Sequence, residues 1–247
     1  MQKILFAFFT GLLLFSHSID ARAQKNIQVE IGYSSVDANI KQPEQMRNEP
    51  FVNYDYTISS LMLLYAGVKR EFVISKDKRW SFLAGVRFSL TQSAINANND
   101  YFYWLYSQEG VNTDFARIKK INQFTYFVGI PLELRVMPQY FQLLGQPMYV
   151  KMGASFDFRM AAHTGLQFED NNMKQVENEI VNQVEKPSTL LYHLQPGVGV
   201  KLGKLEKYFG SIELIIPITI AKSSGIMNTP AVGGGIQFNL FIPTHKK

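Results

Sequence analysis

Met148-Tyr-Val-Lys-Met-Gly-Ala-Ser-Phe-Asp-Phe-Arg-Met160 decides how the chain is read. Met148, Val150, Met152, Ala154, Phe156, Phe158 and Met160 occupy one parity. Tyr149, Lys151, Gly153, Ser155, Asp157 and Arg159 occupy the other. Successive side chains of a strand point to opposite faces, so this is a two-faced β-strand, apolar on one side and polar and charged on the other. No helix places apolar residues at this spacing. Soluble strands average about 5–6 residues, whereas a strand crossing a bilayer at a tilt needs about 9–11. The quoted run has the second length.

The same alternation recurs through the chain. It runs from Ile27 to Tyr33, Trp80 to Leu90, Phe124 to Val136, Leu190 to Leu202, Tyr208 to Ile220 and Val232 to Ile242. The stretch from Ile58 to Ile74 is less regular, because Arg70 falls on its apolar parity, which points to a bulge or a position at water level. Eight segments result, an allowed even number for a closed transmembrane barrel. Connections after the first, third and fifth segments are long (37–57, 97–117 and 163–188). Those after the second, fourth and sixth are shorter (75–79, 138–147 and 204–207), and the seventh, 222–229, is intermediate. Long outer loops and short periplasmic turns produce that asymmetry. The expected fold is therefore all-β, a closed antiparallel transmembrane β-barrel of about eight strands. The alternative is a soluble barrel or sandwich, whose strands also alternate. Pro131, Pro196 and Pro217 interrupt three segments, since proline cannot donate to a ladder, and leave those strand boundaries open.

The N-terminus adds an address. Lys3, an apolar run from Ile4 to Phe15 and the small-residue pattern Ala21-Arg-Ala23 read as a signal peptide over residues 1–23. The run is too short for a transmembrane helix. Residues 24–247 form the barrel domain, and the expected location is the bacterial outer membrane. The sequence contains no cysteine, which excludes disulfides, thiolate nucleophiles and cysteine-bound zinc. A net charge of +5, spread along the chain, points to acidic headgroups or surface sugars and not to nucleic acid.

Three stretches carry a family resemblance. Phe124-Thr-Tyr-Phe-Val-Gly-Ile-Pro-Leu-Glu-Leu-Arg-Val136, Met148 to Asp157 and Gln195-Pro-Gly-Val-Gly-Val200 resemble strands of the PorT-like outer-membrane β-barrel family. The resemblance implies an envelope barrel, with protein secretion as one associated role. The chain departs from the pattern at its end, where Phe241 and Ile242 are followed by five more residues.

An eight-stranded barrel is just wide enough for its own side chains to fill. The polar parity places Glu30, Arg87, Glu133, Arg135, Lys151, Asp157, Arg159, Lys201 and Glu213 inside, and buried charges must be paired. The expected lumen is a salt-bridged plug, which argues against a diffusion porin. No cofactor is expected. Catalysis is weakly supported. His163, with Ser188, Glu169 and Asp170 nearby in sequence, lacks any nucleophile motif. A hydrolase or acyltransferase at the outer rim, or a soluble carrier of an apolar ligand, stays open as an alternative. Two loop features suggest contacts with an envelope protein or a surface glycan. Tyr101, Tyr103 and Trp104 belong to an aromatic cluster that is either a girdle or a recognition patch. Met173, Val176 and Ile180 recur at helical spacing, as in a short amphipathic helix over the barrel mouth or a docking helix.

Overall fold

In a computed structural model, residues 26–37, 45–47, 56–97, 101–109, 112–204, 207–220, 225–226 and 231–243 are described. The leader expected at 1–23 lies outside the described residues. Eight strands form the wall: β1 (Asn26–Asp37), β2 (Tyr56–Val73), β3 (Trp80–Ala97), β4 (Asn112–Val136), β5 (Gln146–Phe168), β6 (Leu190–Lys204), β7 (Lys207–Ile215) and β8 (Ala231–Pro243). Each pairs antiparallel with its sequence neighbours, and β1 pairs with β8, so the ring closes without an edge. Closure satisfies every ladder, the condition for strands to cross lipid.

The two faces separate as the parity requires. Ile31, Leu64, Val68, Phe88, Met152 and Leu214 are each about half or more exposed on the outer wall, while Glu30, Arg87, Lys151 and Glu213 are buried inside. A soluble barrel would show the reverse, so the apolar exterior identifies a transmembrane barrel of the outer-membrane type. Long connections and short turns segregate to opposite ends, and Asn26 of β1 and Pro243 of β8 lie at the short-turn, periplasmic end.

The prolines resolve into two cases. β4 runs through Pro131, where the β3–β4 ladder skips the positions between Ala84↔Leu132 and Arg87↔Gly129 and resumes in the same register. Pairing to β5 continues there at Pro131↔Ser155. The missing N–H therefore falls on the β3 side. β6 runs through Pro196, whereas Pro217 ends β7, and the ladder continues through the short strand Ile218–Thr219. β2 does carry a bulge, between Ser59 and Met62 rather than at Arg70.

Of the connections expected as loops, 97–117 is largely strand and 163–188 begins as strand before its helical turns. Phe102–Glu109 pairs with Asn112–Ile118 in a hairpin, and β5 continues to Phe168. β4 has 25 residues, a span of about 80 Å at roughly 3.3 Å per residue, against about 30 Å of hydrocarbon. Its first half, with the hairpin and the end of β5, projects beyond the bilayer as an outer wing. β-Propensity across Phe102-Tyr-Trp-Leu-Tyr106 explains the extension.

Candidate functional site

The lumen is built from the polar parity of all eight strands, six of which supply the charged residues of one network. Arg87 of β3 grips Glu30 of β1 with both arms of its guanidinium, Nε to Oε1 at 2.7 Å and Nη2 to Oε2 at 3.0 Å. Lys69 of β2 bridges Glu30 at 2.8 Å and Glu133 of β4 at 2.5 Å. Arg135 joins Glu133 at 2.9 Å and Glu213 at 2.8 Å. Lys151 pairs with Glu213 and lies 3.4 Å from Glu133. Neutral groups complete the shell: Gln28 accepts from Arg135 and donates to Glu71, Gln195 accepts from Arg87, and Asn239 donates to Glu213.

Two tyrosines brace these cations. Arg87 lies over the Tyr65 ring at 4.1 Å and Arg135 over Tyr149 at 4.9 Å, favourable placements for a guanidinium on a π face. Tyr65 stands opposite Gly32 and Tyr149 opposite Gly199 in register. A Cβ at either glycine would collide with the ring. The glycines clear the space into which each tyrosine folds.

The sequence-predicted residues divide. Glu30, Arg87, Glu133, Arg135, Lys151 and Glu213 meet in this one network. Asp157 is inside but separate, accepting from Ser155 at 2.5 Å and facing His193 at 3.1 Å. Arg159 and Lys201 keep the inward parity, opposite the buried Phe127 and Ser211, but among the described residues make no ion pair within this network. Arg159 donates to the Pro187 carbonyl at the base of the cap, and the β-bulge opposite Tyr126 and Phe127 falls on Met160 beyond it. Lys201 lies over Tyr208, 5.5 Å from its centroid. Sequence reasoning missed Lys69, Glu71, Tyr65 and His193. Lys69 and Glu71 stand on the odd parity of the segment in which Arg70 obscured the alternation.

Above the ionic layer, an apolar cap closes the outer mouth. A 3₁₀ turn (Asn171–Val176) leads into helix α1 (Glu177–Gln183). Ile180 and Val184 are buried against Val36, Ile95, Phe102, Trp104, Ile118 and Ile121, with Met173 and Val176 packed alongside. Trp104 Nε1 donates to Gln183 Oε1 at 2.8 Å, and Gln183 returns a bond to the Tyr106 carbonyl at 2.6 Å. From inside the barrel, Gln123 donates to the Glu185 carbonyl and accepts from the Gly225 amide. Of the two arrangements open for Met173, Val176 and Ile180, the helix lies over the mouth. The burial of Trp104 and Ile180 corrects their place as exposed contacts, because alternation on the hairpin strand turns Trp104 inward.

Tyr101 and Tyr103 stay on the outer side of the wing. Tyr103 meets Tyr101 and Phe115 edge to face at 5.4 and 6.1 Å, and Arg117 covers Tyr101 at 5.1 Å. His163 is exposed on β5 opposite Phe124. Thr189 bonds back at Arg159, four residues down the strand from His163, or about 13 Å. Glu169 pairs with Lys119, and Asp170 caps the 3₁₀ turn by accepting from the Asn172 amide. Each of the two carboxylates is thus engaged away from His163. Among the described residues no group of three or more acidic, histidine or cysteine side chains could hold a metal.

No family model and no curated protein matches the chain. Among solved structures it is similar to the outer membrane protein OprG of Pseudomonas aeruginosa, with 10% identity, 92% of this chain and 100% of that chain covered, and a TM-score of 0.39. It is also similar to the transport unit of the autotransporter AIDA-I of Escherichia coli (10% identity, 94% of each chain, TM-score 0.33). The translocator domain of NalP from Neisseria meningitidis aligns at 5% identity over 98% of each chain, with a TM-score of 0.29.

Proposed function

We propose that this chain is an exported, non-enzymatic outer-membrane barrel that works through its surfaces, as an interaction or assembly component of the envelope. One observation carries the reading: fully buried ion pairs cross the lumen beneath a mouth covered by α1. Mixed-sign charges that satisfy one another occupy the room a solute would need. The PorT-like resemblance of three strands fits such a role and adds secretion as the pathway to examine first. The outer wing offers the contact surface, with Tyr101, Tyr103, Phe115 and Arg117 on its outward side. Aromatic rings beside a guanidinium suit a protein or glycan partner.

The test is affinity purification of the tagged protein from detergent-solubilised outer membranes, comparing wild type, Tyr101→Ser/Tyr103→Ser/Arg117→Ser and His163→Ala. Loss of a co-purifying partner in the triple variant alone supports the reading. Loss of cellular function in folded His163→Ala would replace it with the rim enzyme.

A further inference from the structure

The connection between β4 and β5 is not a plain turn. Pro138 to Pro147 forms an arm closed by the short pairing of Gln142–Leu143 with Gln146–Pro147. At its tip Leu144 has φ 50° and Gly145 φ 75°. Tight two-residue hairpins need positive φ at both central positions, which glycine and asparagine adopt readily and a bulky side chain does not. Leucine there costs backbone strain of about 1–2 kcal/mol. It is also 95% exposed, and Tyr140 beside it is 90% exposed. Strain and exposure together place an apolar side chain at the end of this arm, outside the protein core.

The arm leans along the outer wall. Gln146, with its amide nitrogen facing β6, donates to the Lys201 and Gly203 carbonyls at 3.0 and 2.9 Å. Met148 is tied to the arm through its amide and the Phe141 carbonyl at 2.8 Å. Between arm and wall lies a cleft of about 410 Å³, lined by Leu143, Leu144, Met148, Val200, Ile212 and Leu214. That volume falls among small-molecule sites, roughly 300–1,000 Å³. Its floor is the lipid-facing parity of β5, β6 and β7, so the cleft is continuous with the surface that meets the bilayer. It lies at the short-turn, periplasmic end of the wall, beside the arm that closes it.

We propose that this cleft holds an acyl chain of one phospholipid from the periplasmic leaflet, with the arm as a clasp. The inference rests on the transmembrane reading of the barrel. An extended hydrocarbon matches an apolar slot that opens sideways into lipid.

The test uses the full mature chain, purified from outer membranes in mild detergent, with bound phospholipid counted by native mass spectrometry and extraction. The variants are Leu144→Asp at the tip and Val200→Trp, which fills the floor. Heat-modifiable mobility verifies folding. One phospholipid retained by wild type, and reduced about tenfold or more in both folded variants, supports the clasp. Equal retention in wild type and variants overturns it, as does a folded wild type that carries none. A protein co-purifying in place of lipid, or a dimer that both variants dissolve, assigns the cleft to that occupant and also overturns it. Recovery of the chain as a soluble protein without detergent instead removes the membrane reading itself.

Discussion

Lys69 and Glu133 meet at 2.5 Å although their strands, β2 and β4, are separated in the ring by β3. Their bond is therefore a strut across the barrel and not a rung of a ladder. Glu133 also receives Arg135 and lies within reach of Lys151 and Arg87, so a single carboxylate ties four cations from four strands.

Glu133→Gln should destabilise the barrel by about 3–5 kcal/mol, because it leaves buried cations without their counter-charge. Lys69→Met combined with Glu133→Gln should cost less than the sum of the two single changes, since the pair is removed together. Urea midpoints for unfolding from detergent micelles measure both. Strict additivity would show that the strut carries no coupling.

Two closures in series make a conductance experiment specific. Wild-type barrels in planar bilayers should show no steady current. Replacing 171–185 by a short glycine-serine linker should leave them silent, because the ionic layer below the cap is untouched. Current on cap removal alone would mean that the Glu30, Arg87, Lys69 and Glu133 layer leaves a path for ions.

What the sequence made legible follows from how each feature is encoded. Parity is local, so strand count, facing and the lumen positions Glu30, Arg87, Glu133, Arg135, Lys151 and Glu213 could be read directly. Bulges shift parity by one: the one at Met160 moves the residues beyond it to the other face, while Arg159 before it keeps its inward place and bonds the Pro187 carbonyl. On β2, Arg70 on the apolar face concealed Lys69 and Glu71, which sit at the centre of the network. The wing was hidden for a different reason. Phe102–Glu109 becomes a strand only because Asn112–Ile118 folds back beside it, and polar residues between the two looked like one long loop. The depth of Trp104 depends on α1, an element distant in sequence.

The turn Ser75–Arg79 lies outside the membrane span, and its chemistry can be titrated. Ser75 holds the Asp77 carboxyl below its ordinary range through a side-chain hydrogen bond, helped by the Arg79 amide at 3.3 Å. A depressed carboxyl contributes its local bonds above the unfolded value and loses them as pH falls through the folded one. Carbon-detected NMR of Asp77 should therefore show a midpoint below that of a free aspartate, and Ser75→Ala should raise it. An unchanged midpoint in Ser75→Ala would assign the effect to Arg79 instead. Ser75 also accepts from the Arg79 and Trp80 amides, at 3.0 and 2.9 Å, so the same variant should broaden their resonances.

The cap can be separated from the barrel through Trp104. Its ring is buried under α1, and its N–H is bonded to Gln183. Trp104→Phe keeps most of the apolar contact and removes the donor. Gln183 Oε1 then loses its partner at a cost of about 1–3 kcal/mol. Trp104→Ala also empties the space beneath Ile180, for about 3–5 kcal/mol in all. Those costs fall on the cap, because the eight ladders close without it and can stay intact while the mouth opens locally. Lys174 precedes α1 and is exposed, so trypsin reports the opening at the Lys174–Gln175 bond; Lys186 is shielded by the following Pro187, because trypsin does not cleave a lysine–proline bond. Cleavage should be fastest in Trp104→Ala, intermediate in Trp104→Phe and slowest in wild type, with heat-modifiable mobility unchanged in all three. Equal cleavage rates would mean that α1 is held by Gln123 and the Glu185 carbonyl alone. Loss of the folded band in Trp104→Ala would make the wing and cap part of one cooperative unit with the barrel.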